Sequence, residues 1–179
     1  MAGENNGKKR RGPRAYLDDY VPGVNGEYVY TGKVFIYTGE KPWKKAIKEL
    51  WLYSLAGFLS VLICGLLPVT GLNNTFYIII PWLASFAGGG SVLWAMIRLT
   101  NSGPGVKEYV YKDTVNALPL RSAFSAVCGG VAAILQAARL VATAAFTGAV
   151  YDIIFLLLMS WGCVCFTTVR KKAKEMSFE

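Results

Sequence analysis

The sequence predicts an all-α membrane protein: a four-transmembrane-helix bundle with both termini cytoplasmic. A small cytoplasmic β-hairpin and an interfacial amphipathic helix are expected before the first span. Three observations carry this reading. No Asp, Glu, Lys or Arg occurs from Leu50 to Ile97. Between Ser122 and Val169 the charged residues are Arg139 and Asp152 alone. The remaining sequence is strongly basic, which is how 54% hydrophobic residues coexist with a net charge of +8. A hydrocarbon core about 30 Å thick needs about 20 apolar residues per helix. Each long tract therefore reads as two spans joined by a short turn.

Residues 1–26 carry Lys8, Lys9, Arg10, Arg11 and Arg14 among Gly, Asn and Pro. Such a stretch cannot bury enough apolar surface to order itself and is expected to be a disordered basic tail. No apolar core follows it directly, so it does not read as a secretory leader. It serves as a topology signal and is drawn to anionic lipids at the cytoplasmic face; nucleic acid is not the expected partner.

Residues 27–49 are expected to form the hairpin and the interfacial helix. Glu27-Tyr28-Val29-Tyr30 and Lys33-Val34-Phe35-Ile36-Tyr37 flank Thr31-Gly32, which reads as a hairpin turn. A lone hairpin is marginal in water, so this one should lean on the membrane surface or on another cytoplasmic segment. Trp43, Ala46, Ile47 and Leu50 recur at helical spacing, with Lys41, Lys44, Lys45 and Lys48 mainly on the other side. That is the pattern of a helix lying among headgroups, with a bend near Leu50 where the first span begins.

The transmembrane domain covers residues 50–169, with spans at about 51–69, 76–99, 119–144 and 150–169. Pro68 and Gly71 mark the outer end of the first span, and Asn73-Asn74-Thr75 is a short polar turn. Trp82 and Trp94 fall near the two ends of the second, where an aromatic belt would put them. Residues 101–118 read as a cytoplasmic loop, Phe146-Thr147-Gly148 as the second outer turn, and 170–179 as a basic tail. Orientation follows from Lys and Arg. Of nineteen, eighteen fall before the first span, around the middle loop or in the tail. The outer turns have none, which directs those turns outward and both termini inward. The pattern suits a multi-pass protein of a bacterial cytoplasmic membrane.

A short internal repeat is visible. Glu27-Tyr28-Val29-Tyr30 recurs as Glu108-Tyr109-Val110-Tyr111, and each copy precedes a pair of spans. This raises a parallel duplication of a two-helix unit, with coincidence as the alternative.

Two sets of residues stand out as candidate sites. The first is an intramembrane polar cluster of Gln136, Arg139 and Asp152, because ionisable groups in a bilayer are costly. Arg139 is expected to snorkel toward Asp152 across the turn and pair with it, with Gln136 and Thr143 on the Arg139 face. A contact with a substrate or ion is the alternative. The second is a set of small residues for helix packing or hinging: Gly88, Gly89, Gly90, Ala126, Gly129, Gly130 and Ala133. Small residues let helix backbones approach closely in lipid, and three glycines in a row could also break the second span.

The chain has no His, and its four cysteines (Cys64, Cys128, Cys163 and Cys165) all fall inside spans, where free Cys acts as a small hydrophobe. Neither a metal nor a cofactor is expected. There is no Walker-type loop, no G-x-S-x-G elbow and no paired carboxylate within a span. The expectation is a non-catalytic subunit or scaffold of a membrane complex. It would bind a membrane protein partner or self-associate, with the hairpin region offering an edge for strand addition. The alternative is a homo-oligomeric channel or small transporter; a lipid-acting membrane enzyme is the third reading.

Overall fold

The computed structural model describes residues 20–22, 27–69, 72, 75–143 and 149–179. The basic cluster at positions 8–14, Gly71, Asn73-Asn74 and Phe146-Thr147-Gly148 lie outside the described residues. Four helices are long and apolar enough to cross a membrane: α1 (Trp43–Leu66), α2 (Phe76–Ser102), α4 (Leu118–Thr143) and α5 (Val150–Lys174). The short helix α3 (Glu108–Asp113) lies in the middle loop. The four long helices form a closed ring in which α1 packs on α2, α2 on α4, α4 on α5, and α5 back on α1. With short connections at the far end, the start of α1, the end of α2, the start of α4 and the end of α5 gather at one end, which carries most of the charge.

The separate interfacial helix is corrected. Residues 43–49 are the first two turns of α1, continuous with its apolar tract. The Pro42 carbonyl accepts the Lys45 and Ala46 N–H groups at 2.9 and 3.1 Å, and no Gly or Pro interrupts the chain before Gly57. The apolar face read as membrane-surface-binding turns instead into the protein. Ile47 and Leu50 are buried with Met96, Leu99, Leu118 and Val169. In α2, Pro81 sits within the helix. It lacks the N–H that would reach the Tyr77 carbonyl, so the second turn of α2 is short of one backbone bond.

The strands also differ from expectation. A small two-strand hairpin is present, but it joins β1 (Tyr20–Pro22) to β2 (Tyr28–Tyr30), with Tyr20 opposite Tyr30. Tyr20–Pro22, within the stretch read as a disordered tail, therefore form a strand. The second run, β3 (Val34–Ile36), pairs with β4 (Gly105–Lys107) of the middle loop, and Phe35 faces Val106. Its other edge holds the C-terminus: Ile36 N–H donates to Glu179 O at 2.7 Å, Glu179 N–H to Ile36 O at 3.0 Å, and Thr38 N–H to Ser177 O at 3.0 Å. A partner on each edge satisfies donors and acceptors that a hairpin would have satisfied on one side only. The middle segment, expected as a loop, is thus a strand and a helix.

The repeat finds no local counterpart. Tyr28–Tyr30 is a strand, while Glu108–Asp113 is a helix. Two apolar clusters fill the ring. One lies at the charged end around Leu50, Val92, Met96 and Leu118. The other runs through Val61, Ile78, Phe155, Met159 and Phe166.

Candidate functional site

Asp152 lies in the first turn of α5, where the helix N-terminus favours a carboxylate. It is 7% exposed, and Gln136 of α4 is fully buried beside it. Gln136 Nε2 donates to Asp152 Oδ1 at 2.6 Å. Gln136, expected only to flank an Arg139–Asp152 pair, is thus itself a direct partner of the carboxylate. The reason is angular. Gln136 shares the buried face of α4 with Ala132 and Gly129, whereas Arg139 sits only half-buried. The amide reaches the carboxylate at its own level, with no snorkelling needed. Gln136 Oε1 is buried without a hydrogen-bond donor among the described residues. Thr143 turns its hydroxyl back to the Arg139 carbonyl at 2.9 Å.

The small residues divide by face. A Cβ at Gly88 would come within 3.1 Å of Ser125 Cβ on α4, and one at Gly89 within 3.0 Å of the Phe166 ring and 3.1 Å of the Phe58 ring. At Gly90 the nearest atom would be 3.9 Å away. Gly129 faces Ser85 and Cys163, while a Cβ at Gly130 would meet nothing within 4 Å. Ala126 is buried and its carbonyl accepts from Cys163 Sγ at 3.3 Å; Ala133 packs partly buried on the second cluster. The helix α2 runs unbroken through Gly88–Gly90, and Gly88 and Gly89 pack closely on neighbouring helices. Phe166 can reach the centre of the ring because Gly89 stands opposite it.

Sequence reasoning missed a reciprocal polar link between α2 and α4. Ser85 Oγ donates to Ser125 O at 2.9 Å, and Ser125 Oγ donates to Ser85 O at 2.7 Å. Both serines are fully buried. Each hydroxyl bonds a carbonyl of the facing helix, which requires the backbones to be close. Gly88 and Gly129, one turn along, provide that closeness. The signal was in the spacing Ser85-x-x-Gly88 and Ser125-x-x-x-Gly129. Trp82, read from sequence as a belt residue, also makes contacts within the bundle. Its ring packs over Gly65 of α1, and its indole N–H donates to Val61 O at 3.0 Å. Trp94 is 61% exposed, as a belt residue would be.

At the charged end, rings replace aliphatic packing. Phe178 sits edge-on to Tyr37, Trp43 and Tyr111, at 5.5, 6.3 and 5.4 Å between centroids. Phe35 stacks on Tyr111 at 4.4 Å. Lys107 lies over the Tyr20 and Tyr30 rings at 5.3 and 5.1 Å and donates to Tyr20 Oη at 3.2 Å. Glu49, just before the uncharged tract, accepts from Lys172 Nζ at 2.6 Å and Lys41 Nζ at 3.0 Å. The Lys172 bond first, and the Lys41 bond second, hold its carboxyl well below the usual range, down to about 2. A lowered carboxyl pKa stabilises the fold above the unfolded value and is lost as pH falls toward the folded one. The contact between α1 and the end of α5 should therefore weaken between about pH 4.5 and about pH 2. Thermal unfolding in detergent should show that decline in the native protein and a smaller one in Glu49→Gln. Equal acid sensitivity would remove Glu49 from the account.

No protein-family model, curated protein or solved structure matches this chain.

Proposed function

We propose that the chain is a non-catalytic subunit or scaffold of a membrane complex, crossing a bacterial cytoplasmic membrane four times with its charged end in the cytoplasm. One observation supports this most: apolar surface exposed outside the spans. Val21, Tyr28, Val29, Val34 and Ile36 are 49, 73, 55, 49 and 59% exposed. They lie on strands beyond the uncharged tracts, so the hydrocarbon core does not account for them. Apolar residues grouped on an extramembrane surface mark a contact site. Val34 and Ile36 share the outer face of β3, opposite Phe35 and its stack on Tyr111. Both edges of β3 are occupied, so a partner meets this face rather than adding a strand to it.

The test is recovery of a partner. A tagged chain purified in mild detergent should bring down a distinct membrane protein in fixed ratio. Val34→Glu with Ile36→Glu should reduce that recovery at least tenfold while the chain itself still accumulates in the membrane. If the double variant recovers the same protein in the same amount, this surface is not the contact.

The channel or transporter reading has less support. Its lining would be Gly88 to Gly90 with Gln136, Arg139 and Asp152; of these, Gly88, Gly89, Gln136 and Asp152 are buried against neighbouring helices of the same copy, while Gly90 and Arg139 are half-buried. Large side chains, Phe155, Phe166 and Met159 among them, fill the space between the helices.

A further inference from the structure

We infer that the junction of α4 and α5 at the charged end is a binding site for one anionic phospholipid. A cleft of about 420 Å³ opens there between the start of α4 and the end of α5. Its lining includes Arg170 and Lys174, one turn apart on α5, together with Tyr111, Asn116, Leu120 and Ala123. No Asp or Glu lines it, and neither Arg170 nor Lys174 is held by a carboxylate among the described residues. The two cations are therefore available to a ligand. The phenol of Tyr111 and the amide of Asn116 add hydrogen-bonding groups of the kind that meet phosphate oxygens.

The cleft straddles the boundary of the apolar tract. Arg170 follows the last uncharged residues of α5, whereas Leu120 and Ala123 belong to the first turns of α4. Below the cleft, Leu120, Phe124, Val127, Val131 and Ile134 are 74, 51, 66, 41 and 69% exposed. Their spacing makes one apolar ridge along α4 that leads straight out of the cleft. A cationic pocket continuous with an apolar ridge fits an amphiphile with one negative headgroup and an acyl chain, and basic pockets between helices at a membrane face select such lipids. The neighbouring cleft, of about 390 Å³, makes the contrast. Glu40, Glu49 and Glu175 outnumber Lys41 and Lys172 there, and Glu49 already engages both lysines, so an anion has no partner in it.

This inference rests on the four-span membrane reading but not on any protein partner. The full-length protein, delipidated in detergent, is titrated with phosphatidylglycerol and with phosphatidylcholine of matched chains, and bound lipid is counted by native mass spectrometry. One phosphatidylglycerol should be retained in preference to phosphatidylcholine. Each basic residue near a surface is worth about fivefold in anionic-lipid affinity, so Arg170→Gln with Lys174→Gln should weaken retention roughly 30-fold. Lys44→Gln with Lys45→Gln, which removes the same charge elsewhere, should leave it unchanged. Ala123→Trp, which fills the cleft without altering charge, should also abolish the preference. Equal retention of both lipids, or equal losses in the two charge variants, would overturn the site. So would competition by free glycerol phosphate as effective as by the lipid, because that would mean an anion site without the ridge.

Discussion

Replacing Gly89 by Leu should lower the unfolding midpoint of the detergent-solubilised protein by about 6–12 °C, whereas replacing Gly130 by Leu should leave it unchanged or raise it slightly. Both glycines lie in runs of small residues, and sequence alone ranks them equally. Geometry separates them. A Cβ at Gly89 already falls within 3.0 Å of the Phe166 ring and 3.1 Å of the Phe58 ring, and the rest of a Leu side chain has nowhere to go. Phe166 is 1% exposed at the centre of the ring of helices. Displacing it opens contacts with every neighbouring helix. Overpacking a filled core costs about 1–3 kcal/mol and more for several added carbons. A loss of about 3 kcal/mol in a chain of this size corresponds to the stated shift. At Gly130 a Cβ meets nothing within 4 Å, and exchanging Gly for a better helix former gains up to about 1 kcal/mol. Similar losses at both positions would mean that α2 does not turn Gly89 toward Phe166, or that α4 does not turn Gly130 away from its neighbours.

The second large effect concerns the buried amide–carboxylate pair. Gln136→Leu should destabilise the bundle by about 2–3 kcal/mol, because it strips a buried carboxyl of the donor that holds it. Asp152→Asn should cost less than about 1 kcal/mol. Its side-chain oxygen still accepts from Gln136 Nε2, and the part lost is the carboxylate's interaction with the positive end of α5. A double replacement, Gln136→Leu with Asp152→Leu, should recover much of the loss by removing both polar partners. With the single Asp152→Leu variant added, thermal unfolding of the native protein, the two single Leu variants and the double gives the coupling directly. If Asp152→Asn is as damaging as Gln136→Leu, the charge itself is needed, and the channel or transporter reading gains ground.

How far the sequence could be read depended on whether a feature was local. The four long apolar helices were legible because each is marked separately, by its length and by its absence of charge. Their ends moved by a few residues at most sites, the exception being α1, whose first two turns were assigned to the headgroups. There the amphipathic pattern of Ile47 and Leu50 was correct, but the face they meet is the end of α5 and the middle segment. Strand partners were not legible, because pairing is a tertiary choice. The tetrapeptide Glu-Tyr-Val-Tyr shows why. It is extended at 28–30, where Tyr20 to Pro22 lies alongside, and helical at 108–111, where α3 packs against α2. The same local preferences give two structures once the surroundings differ.

The candidate sites follow the same rule. Asp152 could be picked out from sequence as an ionisable residue in an apolar tract. Its partner could not, because Gln136 and Arg139 differ by less than a turn, and only the rotation of α4 decides which one faces α5. Among Gly88, Gly89 and Gly90, each step turns the helix by about 100°, so three adjacent glycines point at α4, at the ring centre and away from close contact. The Ser85–Ser125 exchange left a spacing signal in each helix, but matching the two needed the register between the helices.

The central claim is that four crossings hold the charged end, with its knitted strands and C-terminus, on the cytoplasmic side. Labelling of single cysteines tests it most directly. In a variant with Cys64, Cys128, Cys163 and Cys165 replaced by Ala, cysteines are placed one at a time at Lys33, Thr75 and Asn101. The protein is then exposed to a membrane-impermeant maleimide in intact cells. The account predicts labelling of Thr75→Cys in intact cells, and of Lys33→Cys and Asn101→Cys only after the membrane is opened. Labelling of Thr75→Cys from the same side as Lys33→Cys would contradict the crossings, and the mirror-image pattern would contradict the orientation.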